Sequence, residues 1–211
     1  MAILEDLAAV VVKGDADAAK ALTEDALSQN FSAKDILNLG LVSGMDVISV
    51  QFKNNEIFIP EVLVAARAMK AGMFIIRPLL AEANVESLGK IIIGTCGGDL
   101  HDIGKNIVAM LLEGAGFEVI DLGADVPKEK FIEIAKNENP DVLGMSALLT
   151  TTMGFMKDMV VALEESGLKN KIKVIIGGAP ITQSYADEIG ADGYAPDAAS
   201  AVDLVKSVMG G

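Results

Sequence analysis

The chain holds one cysteine and one histidine in 211 residues, and its 17 basic residues face 30 acids. A lone cysteine, Cys96, excludes an intramolecular disulfide framework and fits a reducing, cytosolic setting. The shortage of bases leaves a formal charge of -13, which repels phosphate backbones and anionic lipid. Nucleic acid and membrane surfaces are therefore excluded as partners, and proteins or neutral ligands are favoured. No basic segment precedes the N-terminal apolar stretch, and Glu5, Asp6 and Lys13 interrupt it too soon for a spanning helix. Low-complexity tracts and fixed-period repeats are also lacking. The expectation is a soluble cytoplasmic protein, long enough for one well-buried domain or two modest ones.

What is present divides near residues 86–90. Up to about residue 85 the spacing is helical, with few strand signals. Ile3, Leu4, Leu7, Val10 and Val11 recur at three and four, and Ala18, Leu22 and Leu27 repeat the pattern after Gly14. Ser32, with Asp35 three residues on, resembles a capping box that opens a third helix containing Ile36, Leu37, Leu41 and Val47. Pro60 suits the first turn of a fourth helix, from Glu61 to about Ala83, which Pro78 should bend or bring to its final turn. Four helices with short connections predict a small bundle over residues 1–88.

From Lys90 onward, apolar strands alternate with amphipathic helices through residue 211. Strands are predicted at Ile91–Gly94, Val119–Asp121, Val142–Met145, Val174–Ile176 and Gly193–Ala195. Helices are predicted at about 104–113, 128–137, 152–166, 181–189 and 198–209. Strands that read as unbroken Ile/Val runs belong in a sheet covered on both faces. The predicted fold is thus α/β: a doubly wound, five-stranded parallel sheet of Rossmann-like, flavodoxin-like type behind a helical cap. Ligands bind such sheets beyond the carboxyl ends of the strands, where His101, Gly123, Ser146 and Gly177 all fall.

His101 lies in Gly97-Gly98-Asp99-Leu100-His101-Asp102-Ile103-Gly104-Lys105-Asn106. An acid two residues before an imidazole suits one ring nitrogen held by a carboxylate and the other offered to a metal. Taken alone, a single histidine is commonly a surface or satisfied core residue, and a glycine pair after a strand is commonly a turn. Dinucleotide binding is disfavoured by spacing: Gly94 is followed by Thr95, Cys96, Gly97, Gly98 and Asp99, which does not place glycines at the first, third and sixth positions. A receiver-type switch would use acids at strand ends but gives no reason for the histidine or for Gly177-Gly178.

Asp99-x-His101-x-x-Gly104, then Ser146-x-Leu148, then Gly177-Gly178 resembles the three-part signature of the cobalamin-binding Rossmann-like domain. The segment Asp121-Leu122-Gly123-Ala124-Asp125-Val126-Pro127 also matches that family. The helical first part resembles the cap that precedes this module in methionine synthase and in the corrinoid proteins of methylamine and methanol methyltransferase systems. The resemblance covers nearly the whole chain. Its length resembles the free-standing corrinoid proteins rather than methionine synthase, whose folate, homocysteine and reactivation domains have no counterpart here.

The resemblance implies a cofactor, cobalamin or a related corrinoid such as methylcobalamin, with His101 as lower axial cobalt ligand in place of the cofactor's own benzimidazole. Asp99 would accept a hydrogen bond from the other ring nitrogen, and Thr152, where family members can carry serine, would complete the relay. Asp102 and Ile103 belong to the same loop. Gly104, Gly177 and Gly178 would line a slot for the displaced nucleotide tail, and Ser146 would contact its benzimidazole. Leu148, Thr150, Val126, Ala195 and Pro196 are further contact candidates, each alone equally readable as packing. Phe52 and Ile59, seven apart, with Val62 next, would cover the methyl-bearing face, although all three also suit a bundle core. Asn54, Asn55 and Glu56 form a polar connection before the fourth helix, read as a hinge.

The resemblance implies a corrinoid methyl carrier working through Co(I) and methyl-Co(III), a subunit of an enzyme system rather than a complete enzyme. Its partners would be a substrate-specific methyltransferase, a methyl-acceptor methyltransferase and a reductive activase. No residue set offers a substrate pocket with its own acid, base or zinc, since the one histidine is assigned and Cys96 lacks companion ligands. Two alternatives stay open: a cobalamin-dependent sensor, and the cobalamin subunit of an adenosylcobalamin mutase. Methyl donor, acceptor and the role of Cys96 are not legible.

Overall fold

The computed structural model describes residues 2–83 and 87–210; residue 86, at the predicted division, lies outside the described residues. The chain forms two compact units, Met1–Leu88 with Met110–Phe117, and Gly89–Ala109 with Glu118–Gly211. No described helix is long and apolar enough to cross a membrane.

In the helical unit, α1 (Ala2–Lys13) buries Leu4, Leu7 and Val11, the spacing that placed it. Asp15 caps α2 (Ala16–Ser28) by accepting a hydrogen bond from the Ala18 amide. The third helix runs without a break from α3 (Ala33–Asp35) through a π-helical stretch (Ile36–Val42) into α4 (Ser43–Lys53). Ser32 opens it as expected, its hydroxyl accepting from the Asp35 amide at 3.0 Å and donating to the Asp35 carboxylate at 2.7 Å. The π-helical stretch was not predicted, because its apolar residues fit a 3.6-residue period nearly as well; there the Ser43 hydroxyl donates to the Asn38 carbonyl five residues back. α5 (Ile59–Glu82) starts two residues earlier than expected: the Glu61 carboxylate takes the Phe58 amide at 3.0 Å, and Pro60 needs no amide partner there. Pro78 lies inside α5 with one turn after it, and it removes the amide that would bond the carbonyl four residues back. Gly40 and Gly44 let helices approach: a Cβ would meet Leu7 at 2.6 Å or Val11 at 2.7 Å.

The α/β unit contains β1 (Lys90–Thr95), α6 (Ile103–Gly114, whose last residues cluster with the helical unit), β2 (Glu118–Asp121) and α7 (Lys128–Glu138). Then follow β3 (Val142–Ser146), a 3₁₀ turn (Thr150–Thr152), α8 (Met153–Glu165), β4 (Lys173–Gly177), α9 (Gln183–Ile189), β5 (Gly193–Ala195) and α10 (Ala198–Gly210). All neighbouring strands are parallel in the order β2-β1-β3-β4-β5, the flavodoxin-like doubly wound topology. The apolar segments of β1, β3 and β4 take the interior places and are buried, whereas Glu118 and Asp121 mark β2 as an edge. Phe131 of α7 and Phe155 of α8 meet at 6.1 Å between ring centroids. Gly94 gives Phe131 its room on the sheet: a Cβ there would stand 2.7 Å from the ring.

Candidate functional site

The strand order reverses between β1 and β3, and the register aligns Thr95 with Ser146, Ser146 with Gly177 and Gly177 with Ala195. One row of strand ends therefore carries three of the expected site residues side by side. The histidine loop leaves this row after Cys96, turning at Gly98, whose φ of +83° is one that residues with a Cβ rarely adopt.

Asp99 is the hub of the loop. It is fully buried and accepts five hydrogen bonds. Oδ1 takes the His101 amide at 3.1 Å and lies 2.7 Å from His101 Nδ1. Oδ2 takes the Leu148 amide at 2.8 Å, the Leu149 amide at 3.1 Å and the Thr152 hydroxyl at 2.9 Å. Burial alone would raise this carboxyl's pKa; hydrogen bonds from the His101 ring and the 148, 101 and 149 amides outweigh it and hold the group well below the ordinary carboxylate range. An ionised carboxylate is acceptor-only, so Nδ1–H donates. In the neutral imidazole, Nε2 is then left with its lone pair. The His101 side chain is 52% exposed, and Nε2 has no partner among the described residues.

A second set of bonds ties the loop to the segment after β2. The Gly98 amide donates to Asp125 Oδ1 at 2.6 Å, and the Asp125 amide donates to the Asp99 carbonyl at 2.9 Å. The Thr95 hydroxyl donates to the His101 carbonyl at 3.2 Å. Around the imidazole, Leu100 and Ile103 are 75% and 70% exposed, and Leu148 and Leu149 are also exposed. Such an apolar rim suits a large, flat apolar ligand.

The glycines divide into two kinds. A Cβ on Gly104 would meet nothing within 4 Å, so this first-turn glycine of α6 borders open space. Gly178, at φ +126°, has no such room: its Cβ would lie 1.9 Å from the Ala147 carbonyl oxygen. Gly177 is tight against the Ala195 carbonyl at 3.1 Å.

The structure thus gathers Asp99, His101 and Thr152 into one network and sets Ser146, Gly177 and Ala195 in one row. Asp102 is half-buried ahead of α6, while Thr150 and Pro196 are exposed. Val126 is a core residue, 2% exposed and bridged to Cys96. In the helical unit, Phe52 is half-buried, Ile59 is 38% exposed and Val62 is buried. Burial, then the Asp99 charge, push the Cys96 thiol up to about 12, so it stays protonated near neutral pH. The sequence reading missed the Leu149 amide, the Thr95 hydroxyl, Asp125 and Lys105, whose Nζ donates to the Asp121 carboxylate beside the loop. Lys105 stood inside the quoted motif, and Asp125 inside the matching segment after β2.

Among the described residues no group of three or more His, Cys, Asp and Glu side chains could hold a metal. One imidazole with a free Nε2 beside an apolar rim fits a metal that brings its other ligands in a macrocycle, as a corrin does. Residues 89–203 match the B12 binding domain family, and residues 3–77 match a second B12 binding domain family. Fold and site thus define a B12-binding protein, whose cofactor is cobalamin or a related corrinoid. The chain is 44% identical over 208 residues to dimethylamine corrinoid protein 1 of Methanosarcina acetivorans, covering 98% of this chain and 97% of that protein. A corrinoid protein of Desulfitobacterium hafniense is 41% identical over 213 residues, covering all of this chain and 99% of the relative. The methanol:cobalamin methyltransferase complex MtaBC from Methanosarcina barkeri contains a chain that superposes with a TM-score of 0.90 at 30% identity, over 99% of this chain and 80% of that one. This chain belongs to the corrinoid proteins of methyltransferase systems.

Proposed function

We propose that the protein is a corrinoid methyl carrier, with His101 as the lower axial ligand. The observation that carries this reading is the imidazole itself: Nδ1 is committed to a buried carboxylate, and Nε2 is exposed and unpartnered at the carboxyl end of the sheet. A bound corrinoid would supply a cobalt that alternates between Co(I) and methyl-Co(III), the methyl-carrying chemistry.

The chain's own residues supply the setting. Asp99 fixes the ring's tautomer and orientation and makes Nε2 a better donor. Thr152 steadies the second carboxylate oxygen, so a proton arriving at the relay meets a site already holding five donors. Gly104 keeps a side chain out of the nucleotide tail's path, and Gly177 and Gly178, whose missing Cβ atoms face the Ala195 and Ala147 carbonyls, let the backbone close up beside Ser146. Phe52, Ile59 and Val62 provide apolar cover for the methyl-bearing face, excluding water. The partners in this reading are a substrate methyltransferase, an acceptor methyltransferase and a reductive activase, all in the cytoplasm. Dimethylamine is the first methyl donor to assay, because relatives matching over nearly the full length bear that name.

The test is an ultraviolet-visible spectrum of the protein reconstituted with methylcobalamin, before and after His101→Ala. A base-off, histidine-ligated spectrum that disappears in the variant is the expected result. An unchanged spectrum in His101→Ala would refute the axial assignment, and a wild-type protein that retains no corrinoid would refute the carrier reading.

A further inference from the structure

Lys105 takes no part in the chemistry above, yet few residues are placed at greater physical cost. It stands in the first turn of α6, four residues past His101, with its side chain 1% exposed. Burial strips an ammonium of its water. The helix N-terminus adds a partial positive charge beside it, and the first turn of α6 holds no acid to compensate. A residue held against both biases is a candidate for a local task.

Compensation comes from two side chains. Lys105 Nζ donates to both carboxylate oxygens of Asp121, each at 2.5 Å, and to Asn106 Oδ1 at 2.6 Å. Asp121 Oδ1 also accepts the Gly123 amide at 2.8 Å. The Gly123 carbonyl in turn accepts the Thr95 amide at 2.9 Å, and the Thr95 hydroxyl returns to the His101 carbonyl. With the main chain from His101 to Lys105 as its remaining side, these bonds close a ring running His101, Lys105, Asp121, Gly123, Thr95 and back to His101. Two residues beyond Gly123, Asp125 grips the loop again at Gly98 and Asp99.

We propose that Lys105 is a positioning residue for His101: with Asp121 it anchors the C-terminal end of the histidine loop, as Asp99 anchors the N-terminal end. The inference rests on the proposed ligation by His101. A loop pinned at both ends offers Nε2 at one place and avoids ordering it anew when a ligand arrives. With the Lys105 anchor gone, Asp99 would still hold the ring, but the loop's path into α6 would be free to vary.

The test uses the full chain with Lys105→Met, which keeps length and removes charge. A second variant, Asp121→Asn, keeps one acceptor oxygen and changes a residue that is 38% exposed, so it serves if Lys105→Met does not fold. Peptide-level hydrogen exchange on the corrinoid-free protein should rise about tenfold or more over residues 97–104 while the β3 and β4 peptides stay as in wild type. After reconstitution with methylcobalamin, the same variants should bind about 10- to 100-fold more weakly and show a reduced histidine-ligated fraction. Wild-type exchange in the loop of both variants overturns the proposal. So does exchange that rises equally across the α/β unit, which marks a stability role only, and so does a full histidine-ligated fraction in a loosened loop. A wild-type protein without a histidine-ligated spectrum refutes the proposed function and, with it, this role toward His101. The corrinoid-free exchange result still separates that failure from a loop that Lys105 never held.

Discussion

In the helical unit, Asp15 accepts from Ala18, Thr23 donates to Ala19, Ser32 pairs with Asp35 and Ser43 donates to Asn38, all within five positions. In the α/β unit, Asp99 reaches Leu148, Leu149 and Thr152, 49 to 53 positions away, and Lys105 reaches Asp121 across 16. Side chains of the first unit finish helices that apolar packing holds together. These bonds of the second unit tie the histidine loop and the start of α6 to distant segments, and the imidazole stands among them. Short-range bonds tune stability by small steps, whereas a long-range hub makes several segments depend on one residue.

Breaking the hub is the strongest way to test this contrast. Asp99→Ala leaves the 101, 148 and 149 amides without their acceptor and should cost about 3–5 kcal/mol. Asp99→Asn, which keeps one oxygen, should cost about 1–2 kcal/mol. The chain's two tyrosines, Tyr185 and Tyr194, both belong to the α/β unit, so tyrosine fluorescence during urea unfolding reports that unit. The acid limb has a definite sign. Because the folded-state pKa of Asp99 lies below its ordinary value, its stabilisation is complete above the ordinary carboxylate range and is lost as pH falls through the depressed value. Asp99→Asn should flatten the fall in stability on that side.

The same contrast explains what could be read from the sequence. Helices and strands follow from periodicity, so Leu4, Leu7 and Val11, or the run Ile91–Ile93, announce their own burial. Asp99 and His101 were legible because their contact is two residues long. That Asp99 also takes the 148 and 149 amides was not, since backbone donors leave no mark in side-chain identity. Lys105 was missed for a related reason: lysine is ordinarily exposed, and its burial here depends on Asp121 in another element. The π-helical stretch leaves no such mark either, because its apolar residues also fit a 3.6-residue period. For the proposed apolar cover, Phe52, Ile59 and Val62 differ in exposure, and core and cover residues share one chemistry.

A smaller effect is expected on the other side of the comparison. Ser32→Ala removes a cap acting across three positions and should cost about 1 kcal/mol. Thermal circular dichroism at 222 nm should record the loss, and the tyrosine signal in urea should not move. A shift in both would mean that the two units unfold as one, and the division between short-range and long-range bonding would lose its thermodynamic meaning.

The smallest stability change belongs to Gly104→Ala, and it separates holding the site from occupying it. The added methyl enters open space in the first turn of α6, and alanine is the better helix former, by up to about 1 kcal/mol at interior positions. The tyrosine-monitored urea midpoint should therefore stay in place or rise slightly. Methylcobalamin binding should nevertheless weaken, because the open space beside Gly104 is what the nucleotide tail is proposed to enter. Asp99→Ala would lose binding and stability together, whereas Gly104→Ala would lose binding alone. If Gly104→Ala binds the corrinoid as wild type does, the open space at the start of α6 is not part of the slot, and the site must be drawn around the Ser146–Gly177 row without it.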